Sequence, residues 1–234
     1  MGEVHRLTVV VPVYNEAPTV RSVIDRAIST SLVDELIAVD DGSTDGTAGE
    51  LEAAALAHDR VRVMRHDRNR GKGAALRTGF SAARGTVILI QDADFEYDPA
   101  EYPSLLAPIL AGEADVVLGT RFLEMGSRRL PYFWHGIGNR ILSWLTRAVT
   151  GLHVSDMECG SKVFRAAVIK RLRLMESGFG IEPELVCKVA RLSPRLKEVP
   201  VSYRGRTFAQ GRKIHWTDGV DALRCLVLYG LMGR

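Results

Sequence analysis

Cysteine is scarce in this 234-residue chain: Cys159, Cys187 and Cys225 are the only three, and no two stand in C-x-x-C spacing. An odd, scattered set excludes a disulfide framework and a cysteine-held zinc site, and it points to a reducing compartment. Long hydrophobic runs are also lacking. No stretch approaches the roughly 18–20 apolar residues that span a bilayer, and residues 225–232 (CLVLYGLM) fall far short. The start, MGEVHR, leads directly into a strand-like run with no signal-peptide pattern. A cytoplasmic protein is expected, at most peripheral on the cytoplasmic face of a membrane. Neither sign of charge dominates, since 31 Lys and Arg face 28 Asp and Glu, a net charge of +3; no nucleic-acid partner is expected. Gly71-Lys-Gly73 follows no strand and makes no G-x-G-x-x-G, and no Walker sequence occurs, which excludes the common dinucleotide and P-loop sites. There is no internal repeat and no low-complexity segment.

What is present is a regular alternation. Residues 6–13 (RLTVVVPV), 36–39 (LIAV), 60–64 (RVRVM), 86–91 and 115–119 (DVVLG) read as strands. Near-continuous β-branched runs of this kind suit strands buried on both faces. Between them lie helical patterns: Val20, Val23, Ile24, Ala27 and Ile28; a second with Leu51, Ala54 and Ala55, capped at Thr44-Asp45; then 73–83 and 99–110. Strand–helix alternation with short links predicts right-handed βαβ units and an α/β fold with a mainly parallel sheet. The chain is long enough for one such domain. Ligands of these sheets collect at the carboxyl ends of the strands, where Tyr14-Asn15-Glu16, Asp40-Asp41, Asp92-Ala93-Asp94 and Arg121 stand. Beyond Arg121 the pattern changes. Residues 122–133 read as a loop, and 135–152 as an amphipathic helix with Ile137, Ile141, Leu145 and Val149 spaced by four. That helix is either a core element or a membrane-interface element with aromatic and basic anchors.

The acidic strand ends carry the chemistry. In IQDADFEYDP (90–99) carboxylates occupy alternate positions, Asp92, Asp94, Glu96 and Asp98. A continued strand would set all four on one face, where they would repel. A hard divalent cation, Mg²⁺ or Mn²⁺, with substrate phosphate completing its shell, would offset that charge. Asp40 suits a nucleobase N–H, and its neighbour Asp41 a ribose hydroxyl. A receiver-type phosphorylation domain is about half this length, and an aspartate-based phosphatase needs a different acidic motif. Between Lys188 and Lys213 eight basic residues face one acid, Glu198, which points to an anionic partner.

Taken together, Pro12-Val-Tyr-Asn-Glu16, Val39-Asp-Asp-Gly-Ser-Thr-Asp45, Arg70-Gly-Lys-Gly-Ala-Ala75, Gln91-Asp-Ala-Asp94 and Gly119-Thr-Arg-Phe122 resemble the family 2 glycosyltransferases of GT-A fold. The likeness is nearest to the dolichyl- or polyprenyl-phosphate mannose and glucose synthases. It extends through Asp156-Met-Glu-Cys-Gly-Ser-Lys162, Phe179-Gly-Ile-Glu182-Pro-Glu184 and Glu198–Tyr203 on to Lys213, covering about residues 6–224. It implies a single GT-A domain over 1–234, with a nucleotide-binding half to about 121 and an acceptor half beyond. Pro12, Tyr14 and Glu16 would line the nucleotide pocket with Asp40 reading the base, and Asp41, Lys72, Asp92 and Ala93 would complete the donor-binding set. Asp94 and Glu96, with Asp92 nearby, would hold the metal. Arg121 would bind phosphate at the reaction centre, and Arg206 with Lys213 (or Arg212) would close over the diphosphate.

The implied reaction is metal-dependent inverting transfer of a hexose from a GDP- or UDP-sugar to a polyprenyl phosphate. A phosphate monoester loses its second proton near pH 6 and needs little help from a base. A hydroxyl acceptor would require one, with Asp156, Glu158, Glu182 and Glu184 as candidates. Two other readings stand beside this one: transfer to a saccharide or small-molecule hydroxyl, and a non-catalytic nucleotide-sugar-binding protein. Two departures bear on the acceptor. Relatives often carry Asp-x-x-Ser-Gly-Phe where this chain has Glu158-Cys-Gly-Ser161, and many carry transmembrane helices after the catalytic domain. A membrane partner subunit, or the helix at 135–152, would then supply the membrane contact.

Overall fold

The structure, a computed structural model, describes residues 5–122, 133–192, 194–206 and 216–233. Seven strands form one sheet in the order β3-β2-β1-β4-β6-β5-β7. They are β1 (Leu7–Val13), β2 (Val33–Asp40), β3 (Val61–Arg65), β4 (Val87–Ile90), β5 (Val116–Thr120), β6 (Lys162–Arg165) and β7 (Leu196–Pro200). Neighbours pair in parallel except around β6, which runs antiparallel to both β4 and β5.

The period of two along β1 divides the core. Leu7, Val9, Val11 and Val13 pack with α1 (Val20–Ser29), α2 (Thr47–Ala57) and α4 (Tyr102–Leu110) on one face. Val10 packs on the other face with α3 (Lys72–Ala82), α7 (Ile181–Arg191) and α8 (Trp216–Cys225), which continues into a π-helical turn, Leu226–Leu231. Helices on both sides bury the central strands β1, β4 and β5, which read as largely unbroken apolar runs, while the edge strands β3 and β7 stay partly exposed. A short helix, α6 (Ala166–Ile169), follows β6.

Several expectations change. β4 stops at Ile90, so Asp92, Asp94, Glu96 and Asp98 do not share a strand face. They lie on a turning loop in which Phe95 has φ +59. Asp98 leaves the group altogether: it caps the 3₁₀ turn Pro99–Glu101 and pairs with Arg26 at 2.9 Å. The N-cap of α2 is Gly46 rather than Thr44 or Asp45, although the Asp45 carboxylate still accepts the Thr47 N–H at 2.9 Å. The basic run after Lys188 is dispersed by folding. Among the described residues, Lys188 pairs with Glu184, Arg195 with Asp115 and Lys197 with Glu113, while Arg206 pairs with Glu16 and lines the cleft. Arg212 and Lys213 lie outside the described residues.

The expected amphipathic helix is α5 (Phe133–Thr150); Leu142 and Leu145 pack partly buried against the core, but its most buried side chains are polar. Asn139, Ser143 and Thr146 are buried, while Ile141 is 54% and Trp144 66% exposed. The polar side needs burial because it serves the following loop. Asn139 Nδ2 donates to Asp156 Oδ1 at 2.7 Å, Ser143 Oγ accepts the Met157 N–H at 3.1 Å, and Thr146 Oγ1 donates to the Met157 sulfur.

Candidate active site

A cleft of about 330 Å³ opens at the carboxyl ends of β1, β2, β4 and β5, a size that suits a small-molecule substrate. Pro12, Tyr14, Glu16, Asp41, Lys72, Asp92, Ala93, Asp94, Glu96, Arg121 and Arg206 all line it. By strand order the Tyr14–Asp41 end lies on one side of Asp92, and Arg121 lies on the other. Asp40 does not line the cleft. It is buried beneath it, with Oδ1 accepting the Ser43 N–H at 2.9 Å and Arg65 Nε 3.3 Å from Oδ2. This corrects the base-reading expectation: burial turns the Asp40 carboxylate to the loop that follows it, and Asp41 is the one that faces the cleft.

Loops after β1 and β2 hold one another. Asn15, at φ +48, donates its N–H to Ser43 Oγ and accepts the Thr44 N–H at Oδ1. Asp41 accepts hydrogen bonds from the backbone N–H groups of Arg70 and Gly71, and its Oδ1 lies 2.6 Å from His66 Nδ1. That anchors the entry to α3. Gly71 adopts φ +94, and a Cβ there would collide with the Ser177 carbonyl, so only glycine fits.

Lys72, at the start of α3, reaches across to Asp92 Oδ1 at 2.8 Å and Glu182 Oε1 at 3.0 Å. Glu182 also pairs with Lys162, a fully buried lysine on β6. Burial disfavours charge on both partners, yet the Asp92 and Glu182 carboxylates hold the Lys72 ammonium well above its usual range. The two lysines likewise hold Glu182 below its usual range against the effect of burial. Fixed lysines opposing fixed carboxylates make this a rigid floor.

The Asp92-Ala93-Asp94 turn carries the acidic centre. Burial, with Asp92 and Glu96 close by, pushes the Asp94 carboxyl up to about 7. Arg206 answers it: its guanidinium donates to Asp94 Oδ2 at 3.0 Å and to both oxygens of Glu16 at 2.9 Å. Glu96 accepts from Tyr203 Oη at 3.0 Å and from the Arg206 N–H at 2.9 Å. Charge compensation, expected from a cation alone, is thus shared among Lys72, Arg206 and Tyr203. Among the described residues no cluster of three His, Cys, Asp or Glu side chains could hold a metal ion. The fit to a divalent ion is of another kind. Asp94 and Glu96 would supply two carboxylates with phosphate and water completing the shell, as Mg²⁺ sites commonly do. The raised Asp94 carboxyl is what an added positive charge would relieve.

Arg121 sits at the far end. Its Nε and Nη2 donate to the two oxygens of buried Asp156 at 2.6 and 2.7 Å, and its guanidinium lies 4.9 Å over the Tyr203 ring. Burial raises the cost of the Asp156 charge, but the bonds from Arg121 hold its carboxyl below the usual range. Gly160 presses on Asp92 so closely that a Cβ would collide with Oδ2. Tyr97 Oη accepts the Gly160 N–H at 3.1 Å. Tyr97, Gly160, Phe179 and Tyr203 line the cleft without having been singled out as site residues in the sequence, and Lys162 beneath it was likewise unmarked. Gly160, Lys162, Phe179 and Tyr203 had one signal, membership in the matched motifs, and Tyr97 stood only within the acidic stretch 90–99.

This arrangement agrees with comparison. The sequence profile of glycosyl transferase family 2 matches residues 8–173. The chain belongs to that family. A dodecaprenyl-phosphate galacturonate synthase of Rhizobium johnstonii is 31% identical over 206 residues, covering 86% of this chain but 59% of the relative's length. The polyprenol monophosphomannose synthase of Mycolicibacterium smegmatis is 28% identical over 98% of this chain and 88% of its own. Among solved structures, glucosyl-3-phosphoglycerate synthase of Mycobacterium tuberculosis, crystallised with Mn²⁺, UDP and glucosyl-3-phosphoglycerate, has a TM-score of 0.75 at 25% identity, covering 97% of this chain and 80% of that one. Mannosyl-3-phosphoglycerate synthase of Rubrobacter xylanophilus shares the fold at a TM-score of 0.74 and 22% identity, over 96% of this chain and 73% of its own. The protein is a glycosyltransferase of GT-A architecture.

Proposed function

We propose that this glycosyltransferase moves a hexose from a GDP- or UDP-sugar to a polyprenyl phosphate, with inversion at the anomeric carbon. The nucleotide would occupy the Pro12–Asp41 end of the half before about residue 121, and the acceptor would approach from the half beyond. Asp94 and Glu96 would hold a Mg²⁺ or Mn²⁺ ion, whose charge would offset that of the departing diphosphate. Arg206 and Arg121 add fixed positive charge beside that diphosphate, an electrostatic contribution made before the reaction begins. Lys72, pinned to Asp92 and Glu182, orients the floor of the cleft.

The observation that carries the lipid reading is the orientation of α5, which buries its polar residues and turns Ile141 and Trp144 outward. The π-helical turn packed against it exposes Leu231 in the same way. Among the described residues no helix is long and apolar enough to cross a membrane, so contact with the acceptor's membrane would be peripheral, through this face or a partner subunit. A second reading, transfer to the hydroxyl of a small acceptor, is favoured by the solved relative that carries glucosyl-3-phosphoglycerate.

The test supplies purified protein with Mg²⁺ or Mn²⁺ and radiolabelled GDP-mannose, UDP-glucose or UDP-N-acetylglucosamine, with and without polyprenyl phosphate. Label entering the organic phase only with the lipid is the expected result. Label transferred solely to water-soluble acceptors would replace the lipid reading with the second.

A further inference from the structure

Four carboxylates beyond the metal-type turn could handle an acceptor's proton, and their surroundings separate them. Asp156 is fully buried and gripped by Arg121 and Asn139. Glu182 is held between Lys72 and Lys162. Glu184 accepts the N–H groups of Met175 and Glu176, both at 2.7 Å, and pairs with Lys188. Glu158 differs. It lines the cleft beside Arg121 and Gly160, on the side of Asp92 away from the nucleotide end, and its Oε1 is shielded from solvent with no hydrogen-bond partner. A buried polar atom left unpaired is unfavourable unless something else occupies it.

We propose that Glu158 holds the acceptor's proton, hydrogen-bonding the attacking O–H group and carrying that proton as the glycosidic bond forms. This rests on the transferase reading above and deepens it. The acceptor oxygen bonds to the anomeric carbon, and the bond from that carbon to the diphosphate oxygen breaks. The electron pair leaves with the nucleoside diphosphate, and the acceptor's proton stands on the Glu158 carboxylate until it passes to water. A sugar or alcohol hydroxyl gives up its proton during attack. A phosphate monoester, with its own second ionisation near pH 6, reaches the site mostly as the dianion near neutral pH, and Glu158 takes a proton only from the fraction that binds as the monoanion.

The environment suits that duty. Burial, then the Glu182 charge, pushes the Glu158 carboxyl up to about 7, with Asp156 adding to the effect while Lys162 and Arg121 oppose it. A base poised near neutrality is the efficient kind. Lys162 and Arg121 are themselves committed to Glu182 and Asp156, so neither closes on Glu158.

The test is Glu158→Gln, which keeps the shape and hydrogen bonding but cannot take a proton. Initial rates are measured from pH 5.5 to 9 with three acceptors: polyprenyl phosphate, a simple alcohol, and water as donor hydrolysis. The expected losses are about 10²- to 10⁴-fold with the alcohol and water, and less with the phosphate. The wild-type acid limb near pH 7 should disappear with the alcohol and with water, the phosphate arm should keep the limb of the acceptor's own ionisation, and nucleoside diphosphate affinity should stay within threefold. Unchanged rates with an unchanged limb would overturn the proposal. Melting temperature gives a readout independent of turnover. The variant should gain on the wild type between pH 5 and pH 8, because the wild type must ionise a shielded carboxyl over that range. No such gain would also overturn it. If the wild type transfers to none of the acceptors, the transferase reading is what fails, and the melting comparison still decides whether Glu158 holds a proton.

Discussion

Arg206 donates from Nη1 and Nη2 to the two oxygens of Glu16, both at 2.9 Å, joining residues 190 apart in sequence. Nη2 reaches Asp94 Oδ2 as well. One guanidinium therefore connects the nucleotide end of the cleft to its acidic centre. The planar fork matters here, since a lysine ammonium could not meet both oxygens of Glu16 and keep Asp94.

Arg206→Ala is expected to lower turnover by about 100-fold, comparable to losing one preorganised electrostatic group. It should cost about 1–2 kcal/mol of stability by leaving Glu16 with less compensation, and Arg206→Lys should recover little of the rate. Steady-state kinetics beside urea unfolding will check this. A fall in folded fraction that accounts for all the lost activity would contradict the role given to Arg206.

Asp94→Asn removes one charge from the neighbouring Asp92, Asp94 and Glu96. It should sharply weaken Mn²⁺ binding, read by electron paramagnetic resonance of the free ion, and abolish metal-stimulated turnover. Because like charges are relieved, the melting temperature should hold or rise. Wild-type Mn²⁺ affinity in the variant would remove Asp94 from the metal site.

The first half of the chain was legible because local and global preferences agree there. β1 and the Leu36–Val39 part of β2 are apolar runs, and their ends carry the acidic motifs that face the cleft or lie just under it. β6 was not legible, since Lys162 occupies a fully buried strand position, made tolerable by its pairing with Glu182 and its hydrogen bond to the Cys159 carbonyl. A partner supplied from 20 residues away leaves no local pattern. Asp40 and Asp41 are adjacent acids, and only the pleat and the following turn decide which one faces the cleft. The basic residues after Lys188 were legible only as a run: Lys188, Arg195 and Lys197 became ion pairs on separate elements, and Arg206 is the described member that lines the cleft.

Asp156→Asn should be destabilising by about 3 kcal/mol at pH 7, because Arg121 would remain buried without its counter-charge. The effect should depend on pH in a defined sense. The folded protein holds the Asp156 and Glu182 carboxyls below their unfolded values. Their stabilisation is therefore present above about pH 4 and is lost as pH falls through the depressed folded values. Urea midpoints at pH 7, 5 and 3.5 should show the wild type converging on Asp156→Asn at the acid end. A gap independent of pH would mean that shape rather than charge carries the Arg121–Asp156 contact.

Vesicle binding tests the outward face of α5. Trp144 is 66% exposed, with Ile141 beside it and Arg140 and Arg147 also at the surface. Burying most of an indole, roughly 100–150 Å² at about 25 cal/mol per Å², contributes on the order of 3 kcal/mol. Half of that on partial insertion is still about tenfold in partition. Trp144→Ala should thus weaken flotation with phosphatidylglycerol vesicles by about tenfold, and salt should weaken it further through the arginines. Leu56 provides the control: it is 88% exposed, but on α2, across the sheet from α5. Leu56→Ala should leave binding unchanged. If both variants lose binding equally, the attraction is nonspecific, and if neither does, the α5 face meets something other than lipid.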